Sequence, residues 1–267
     1  MAWRDYPLAG TGQAREIRLL LAPGVRSEQL RNTRDLVVAL PPGYDAESLR
    51  YPVVYLHDGQ NLFDPATSFV GDWGLVATLN ALGAQDVKPI VVGIPNRGRR
   101  RRSEYSPFRD LIHGGGSGDR YLAFIVETVK PLVDASFRTR PERAHTVIGG
   151  SSLGGLISLY ALYRHAGIFG AASVQSPALW WARRAIFRFL ARQRTQPPAP
   201  TRIHLDVGTE EGAETLADAR RLRDFLLDAG YAPGSELSYV EEIGAGHHEA
   251  AWGRRLRAAL PFLLGER

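Results

Sequence analysis

The sequence predicts a three-layer α/β sandwich built on a mostly parallel sheet. Three observations lead there. Short, nearly continuous apolar runs such as "YPVVYLHDG" (51–59) and "KPIVVGIP" (88–95) suit strands buried on both faces. Stretches with helical spacing alternate with them along the chain, which is the pattern of parallel strands joined by crossover helices. The third observation is length: 267 residues and 29.4 kDa suffice for one large α/β domain, so residues 1–267 are expected to form a single domain.

Taken in order, "REIRLLLA" (15–22) and "RDLVVALP" (34–41) read as an antiparallel opening pair, the second strand ended by Pro41-Pro42-Gly43. "YPVVYLHDG" and "KPIVVGIP" follow as strands, with a helix at 74–84 between them. The stretch 96–118, rich in Arg, Gly and Ser, predicts a long irregular surface loop. A helix is expected over 119–137, with Asp119 as its cap and Pro131 as a kink or stop. "AHTVIGG" (144–150) then gives a strand and "LGGLISLYALYRH" (153–165) a helix. Strands at 170–177, 201–208 and 236–244 alternate with helices at 179–193, 214–229 and 250–264, and "TQPPAP" (195–200) is a connector.

Composition narrows the function. Hydrophobic residues make up 44% and charged residues 23%, which favours neither disorder nor a membrane class. No apolar run approaches the ~20 residues needed to span a bilayer, and no secretory signal is evident, so a cytoplasmic protein with no membrane partner is expected. Without cysteine, covalent catalysis has to use oxygen or nitrogen nucleophiles, and no thiolate metal site exists. The net charge of +5 is mostly arginine. The "RGRRRR" run lacks interleaved aromatics and is a weak nucleic-acid signature, so no nucleic-acid partner is expected.

The chemistry is carried by "HTVIGGSSLGGLISLYALYRH" (145–165). G-x-S-x-G fits one frame there, Gly150-Ser151-Ser152-Leu153-Gly154, which makes Ser152 rather than Ser151 the candidate nucleophile. On a sharp strand-to-helix turn the central serine stands clear of the sheet, and the helix N-terminus, with Leu153 N–H as one donor, meets a developing oxyanion. A serine needs a base and a group to orient that base, in the order Ser, acid, His. His247 lies in the loop after a strand that ends at Gly244-Ala245-Gly246; His248 reads as a rim or capping residue, and His204 as packed in a strand. Glu211, at G-x-x-acid spacing after the strand 201–208, leads for the acid over Glu210 and Asp206. "HDGQNLFD" (57–64) occupies the loop that supplies a second oxyanion donor, whereas "HGGG" (113–116) follows no convincing strand. Neither a metal nor a cofactor is called for. Adjacent His247 and His248 point apart, and H-E-x-x-H spacing is absent.

"YPVVYLHDGQNLFD", "RSEYSP", "VIGGSSLGGLISLYAL", "SPALWW", "VGTEE" and "GHHEAAW", taken together, resemble the esterase family of α/β-hydrolases. That family includes enterochelin-esterase-like proteins, carbohydrate and feruloyl esterases and S-formylglutathione hydrolase. The likeness runs over roughly 30–264 and is nearest the enterochelin-esterase-like branch, because the nucleophile turn reads S-L-G-G-L-I-S-L-Y. It implies an α/β-hydrolase fold with Ser152 as nucleophile, His247 as base, Glu211 as acid, and Gln60 and Leu153 as oxyanion donors. The expected activity is serine ester hydrolysis through an acyl-enzyme on small-molecule aromatic, sugar or siderophore-type esters, with acyl transfer as the nearest alternative. Trp180 and Trp181, beyond the strand ending at Ser176-Pro177, and the arginines at 97 and 99–102, Arg101 among them, are candidate substrate contacts for an aromatic, anionic ester.

Overall fold

A computed structural model describes residues 2–6, 17–68, 71–193 and 196–265. Its core is one nine-stranded sheet: β1 (Arg4–Asp5), β2 (Arg18–Ser27), β3 (Asn32–Leu40), β4 (Val53–His57), β5 (Ile90–Ile94), β6 (Thr146–Ser151), β7 (Ala171–Gln175), β8 (Arg202–Gly208) and β9 (Leu237–Glu242). The strand order is β1-β2-β3-β5-β4-β6-β7-β8-β9. The first four of these pair antiparallel, and the run from β5 to β9 is parallel. The expected opening pair is present in the register Leu20↔Val38, although its first two expected residues, 15 and 16, lie outside the described residues, as does residue 195 of the Pro-rich connector. Every residue of β4, β5, β6 and β7 is buried, which explains their unbroken apolar runs.

The helices α1 (Leu75–Gly83), α2 (Arg101–Glu104), α3 (Gly118–Phe124), α4 (Lys130–Ser136), α5 (Leu153–Arg164), α6 (Trp181–Leu190), α7 (Ala213–Asp228) and α8 (Glu249–Leu264) cover both faces. Two apolar cores result. One gathers β-strand residues such as Val92 and Ile148 with α3, α4 and α5; the other sets Val54 and Leu56 against α1 and α8. No helix among the described residues is long and apolar enough to cross a membrane.

Three elements differ from expectation. The 96–118 segment is irregular over much of its length, as expected, but it is partly helical and not wholly on the surface. It contains a 3-10 turn (Gly98–Arg100) and α2, and its Glu104 and Tyr105 are buried, Glu104 in a two-oxygen ion pair with buried Arg34. Arginine-rich composition hid this anchor because an Arg–Glu pair looks solvated until its partner's location is known. Helix 119–137 begins at Gly118, and Asp119 lies in its first turn without capping it, accepting instead from Tyr160 Oη at 3.0 Å. Pro131 neither ends that helix nor acts alone: a π-turn over Ile125–Val129 separates α3 from α4 directly before it, accommodating the missing proline N–H. In α6, Ala182, Arg183 and Arg184 all have φ near +50°, so regular helix starts only at Ala185.

Candidate active site

The C-terminal edge of the parallel strands carries the site. β6 ends at Ser151, and Ser152 takes φ 59°, ψ −119° before α5 begins at Leu153. This strained turn is fixed by neighbours on both sides: Ser152 N–H donates to Gln175 C=O at 3.0 Å, and Ser152 C=O accepts from Ala178 N–H at 2.9 Å. The two glycines of the motif are needed for close approach. A Cβ on Gly150 would lie 3.0 Å from the Cβ of His57, and one on Gly154 would lie 3.4 Å from it. Ser151 and Ser152 both line an open cavity of about 610 Å³, but Ser151 is buried at the end of the strand, whereas Ser152 stands in the turn and is half-buried.

His247 lies in the loop between β9 and α8 and faces the same cavity. Its Nδ1 is 2.7 Å from Glu211 Oε2. Glu211 comes from the turn after β8, where its Oε1 also accepts Gly208 N–H at 2.8 Å, closing the G-x-x-E turn on itself. Gly208 is obligatory there, because a Cβ would meet Ala245 C=O at 2.2 Å. Burial of the Glu211 carboxylate works against its charge. The hydrogen bonds from His247, Ser176 and Gly208 N–H outweigh that penalty, and the carboxyl is held below its ordinary range. An ionised Glu211 accepts, so Nδ1 carries a ring proton, and in the neutral imidazole this tautomer leaves the Nε2 lone pair free. Among the described residues no direct hydrogen bond joins Ser152 Oγ to His247, although both residues line the same cavity.

The rival acids and bases are occupied elsewhere. Glu210 is exposed. Asp206, fully buried, pairs with Arg255 Nε at 2.8 Å and with His204 Nε2 at 3.1 Å. His248 caps α8, its Nδ1 accepting from Ala251 N–H at 3.4 Å.

Three residues that sequence reasoning missed support Glu211. Ser176 Oγ donates to Glu211 Oε1 at 2.6 Å and accepts from Trp252 Nε1 (3.0 Å) and Arg255 Nη2 (2.8 Å), so its hydrogen-bonding capacity is full and its proton direction fixed. Arg255 is buried and also reaches Glu242 at 3.1 Å. The Trp252 ring meets the His247 ring edge-on, centroids 4.9 Å apart. A signal existed in "HHEAAWGRR": Trp and Arg three apart on the helix after His247 share one face, turned toward the loop.

Opposite them, β4 leads into a 3-10 turn (Gly59–Asn61) that places Gln60 at the cavity, while Leu153, the first residue of α5, is buried beside Ser152 in the chain and its side chain does not line the cavity. A second cavity, about 360 Å³, shares Gln60, Thr67 and Asn96 with the first, so this turn stands between two hollows. Arg101 lines the first cavity but is bound to Asp58 through both carboxylate oxygens, each contact 2.8 Å. Trp180 is 44% exposed and packs edge-on to His113, while Trp181 is buried and donates its Nε1–H to Phe108 C=O at 2.9 Å. Neither tryptophan lines the Ser152 cavity.

Comparison with known proteins agrees with this architecture. The family described as "Putative esterase" matches residues 27–263. The uncharacterized protein YbbA of Bacillus subtilis is 27% identical over 259 residues, covering 91% of this chain and 97% of that protein. The iron(III) salmochelin esterase of Escherichia coli O6:H1 is 28% identical over 228 residues, covering 80% of this chain and 50% of its own, so the chain spans about half of that relative. Among solved structures, the siderophore hydrolase EstA from Aspergillus nidulans superposes with a TM-score of 0.72 at 24% identity, covering 99% of both chains, which establishes the shared α/β-hydrolase fold.

Proposed function

The chain belongs to this esterase family of carboxylic ester hydrolases, and from that premise we propose that it cleaves its ester by a Ser152–His247–Glu211 triad through an acyl-enzyme. The observation that carries the proposal is the 2.7 Å contact of His247 Nδ1 with the buried, ionised Glu211, at a cavity also lined by a serine in the strained elbow conformation. In the first step Ser152 Oγ attacks the ester carbonyl carbon while its proton passes to His247 Nε2. The N–H groups of Leu153 and Gln60 receive the charge that develops on the carbonyl oxygen. The imidazolium then protonates the departing alkoxide. Water, deprotonated by the same nitrogen, attacks the acyl carbon and releases the acid, returning the proton to Ser152.

For the substrate we propose an aromatic, sugar or siderophore-type ester. The two hollows flanking the Gln60 turn leave room for an ester with two bulky arms. A relative in Escherichia coli O6:H1 bears the name iron(III) salmochelin esterase, which favours the siderophore type among these three. The test is hydrolysis of matched aryl, sugar and hydroxy-acid lactone esters by the wild type and the Ser152→Ala protein. Turnover of at least one class, lost in Ser152→Ala, is expected; turnover that survives the substitution refutes the mechanism.

A further inference from the structure

We propose that Arg101 is a positioning residue of this site: it clamps Asp58 and the Ser151 carbonyl together and so holds the two oxyanion-donor segments in register, rather than receiving substrate charge. The inference rests on the reading of Ser152 as nucleophile. Asp58 is where β4 leaves the sheet, with φ 55°, a left-handed conformation unusual for a non-glycine residue. Its carbonyl accepts Asn61 N–H at 2.8 Å and closes the turn that carries Gln60. Four contacts hold it there. Oδ1 accepts Arg101 Nε at 2.8 Å and Asn96 Nδ2 at 2.7 Å, Oδ2 accepts Arg101 Nη2 at 2.8 Å, and Asp58 N–H donates to the buried Tyr105 hydroxyl at 3.0 Å.

The same Arg101 Nη2 donates to Ser151 C=O at 3.4 Å, one residue before the nucleophile. One guanidinium therefore joins the end of β4, which leads to Gln60, to the end of β6, which leads to Ser152 and Leu153. Its plane is set by the Tyr105 ring, 5.0 Å from ring centroid to the guanidinium carbon. Asp58 is 5% exposed and neutralises the cation, so the pair presents little net charge to an anionic ester. Two oxyanion donors act together only when both sit within hydrogen-bond distance of one oxygen, and small displacements are costly. A lysine cannot span both Asp58 oxygens and the Ser151 carbonyl at once, because an ammonium is a point donor rather than a planar fork.

The experiment compares kcat and KM for matched neutral and anionic aryl esters in the wild type, Arg101→Lys, Arg101→Gln, Asp58→Asn, the Asp58→Asn/Arg101→Gln double variant and the exposed control Arg257→Gln, which lies outside the cavity. The expected result is a loss of kcat of up to about 10²- to 10³-fold in each Arg101 and Asp58 variant, the scale of a lost oxyanion donor. KM should stay within about threefold for both esters and the pH profile should not move, since the His247–Glu211 pair is untouched. The double variant is expected to be no worse than the worse single one, as residues acting as a unit require. Arg101→Lys keeps the charge beside Asp58 and guards against a folding defect; in two further variants, Arg101→Ala and Asp58→Asn/Arg101→Ala, added guanidinium salt should restore kcat only in the first. Full kcat in Arg101→Lys, or a KM rise confined to the anionic ester, overturns the proposal. Full activity in Ser152→Ala would instead overturn the nucleophile reading, so the two failures are separable.

Discussion

At the scale of single residues, the site divides into what a motif announces and what only contact reveals. Ser152, His247 and Glu211 could be proposed from sequence because elbow, post-strand loop and G-x-x-E turn are local patterns. Ser176 and Asp58 could not, because each acts through a partner 30 or more residues away or through a strained φ, and Arg255 left only its helix-face spacing from Trp252 as a signal. The triad reading makes unequal demands on neighbours. His247→Ala should lower kcat by about 10³-fold or more, and His248→Ala far less, because the capping imidazole meets no reacting atom. Steady-state kinetics on one aryl ester checks this. Glu211→Gln should cost more than Glu210→Gln, whose side chain is in solvent; the reverse order would reassign the acid. Arg255→Met removes the cation shared by buried Asp206 and Glu211 and leaves two carboxylates facing each other. It should destabilise by about 3–5 kcal/mol in urea unfolding, as expected when one partner of a buried ion pair is lost.

At the scale of elements, sequence patterning located the strands and helices well but misjudged the segment 96–118. Its arginines read as solvated, yet Glu104 and Tyr105 bind it to the sheet. The same buried region yields a pH prediction. At the end of β4, His57 is buried against Tyr105 and Tyr121, its Nδ1 2.8 Å from Tyr121 Oη and its buried Nε2 without a hydrogen-bond partner among the described residues. Burial pushes its pKa down to about 3 from the ordinary 6.5. The unfolded chain thus binds a proton below pH 6.5 that the folded chain refuses until near pH 3, and stability falls as pH drops through that window. By pH 5 the loss is about 2 kcal/mol from this residue. Glu211 adds to it lower down: its carboxyl is depressed below 4.5, so its stabilisation is present above that value and is lost as pH falls through the folded pKa. Chemical denaturation of wild type and His57→Gln from pH 7.5 to 5 is the check; the variant should show the shallower slope.

At the scale of the whole molecule, the alternation of apolar runs and helical spacing was enough to give the parallel sheet, because burial on both faces leaves its mark on the central strands β4 to β7. The identity of the ester was beyond sequence: the cavity walls come from loops after β4, β5, β6 and β9, and their convergence is a product of topology. Arg99, Arg100 and Arg102 remain exposed beside the cavity-lining Arg101. If they steer an anionic ester, its kcat/KM should fall more than that of a neutral analogue as the screening length drops from ~10 Å at 0.1 M salt to ~3 Å at 1 M. Arg100→Ser with Arg102→Ser should flatten that difference, and equal salt responses in the parent would remove steering from the account. The central claim is that the acyl group of an ester becomes covalently attached to Ser152 Oγ, and the most direct measurement is peptide-level mass spectrometry after brief exposure to a fluorophosphonate, which reports the nucleophilic serine. The account predicts one adduct, on the peptide containing Ser152 and on that residue, abolished in Ser152→Ala and retained in Ser151→Ala. An adduct on Ser151, or labelling that persists in Ser152→Ala, would contradict it.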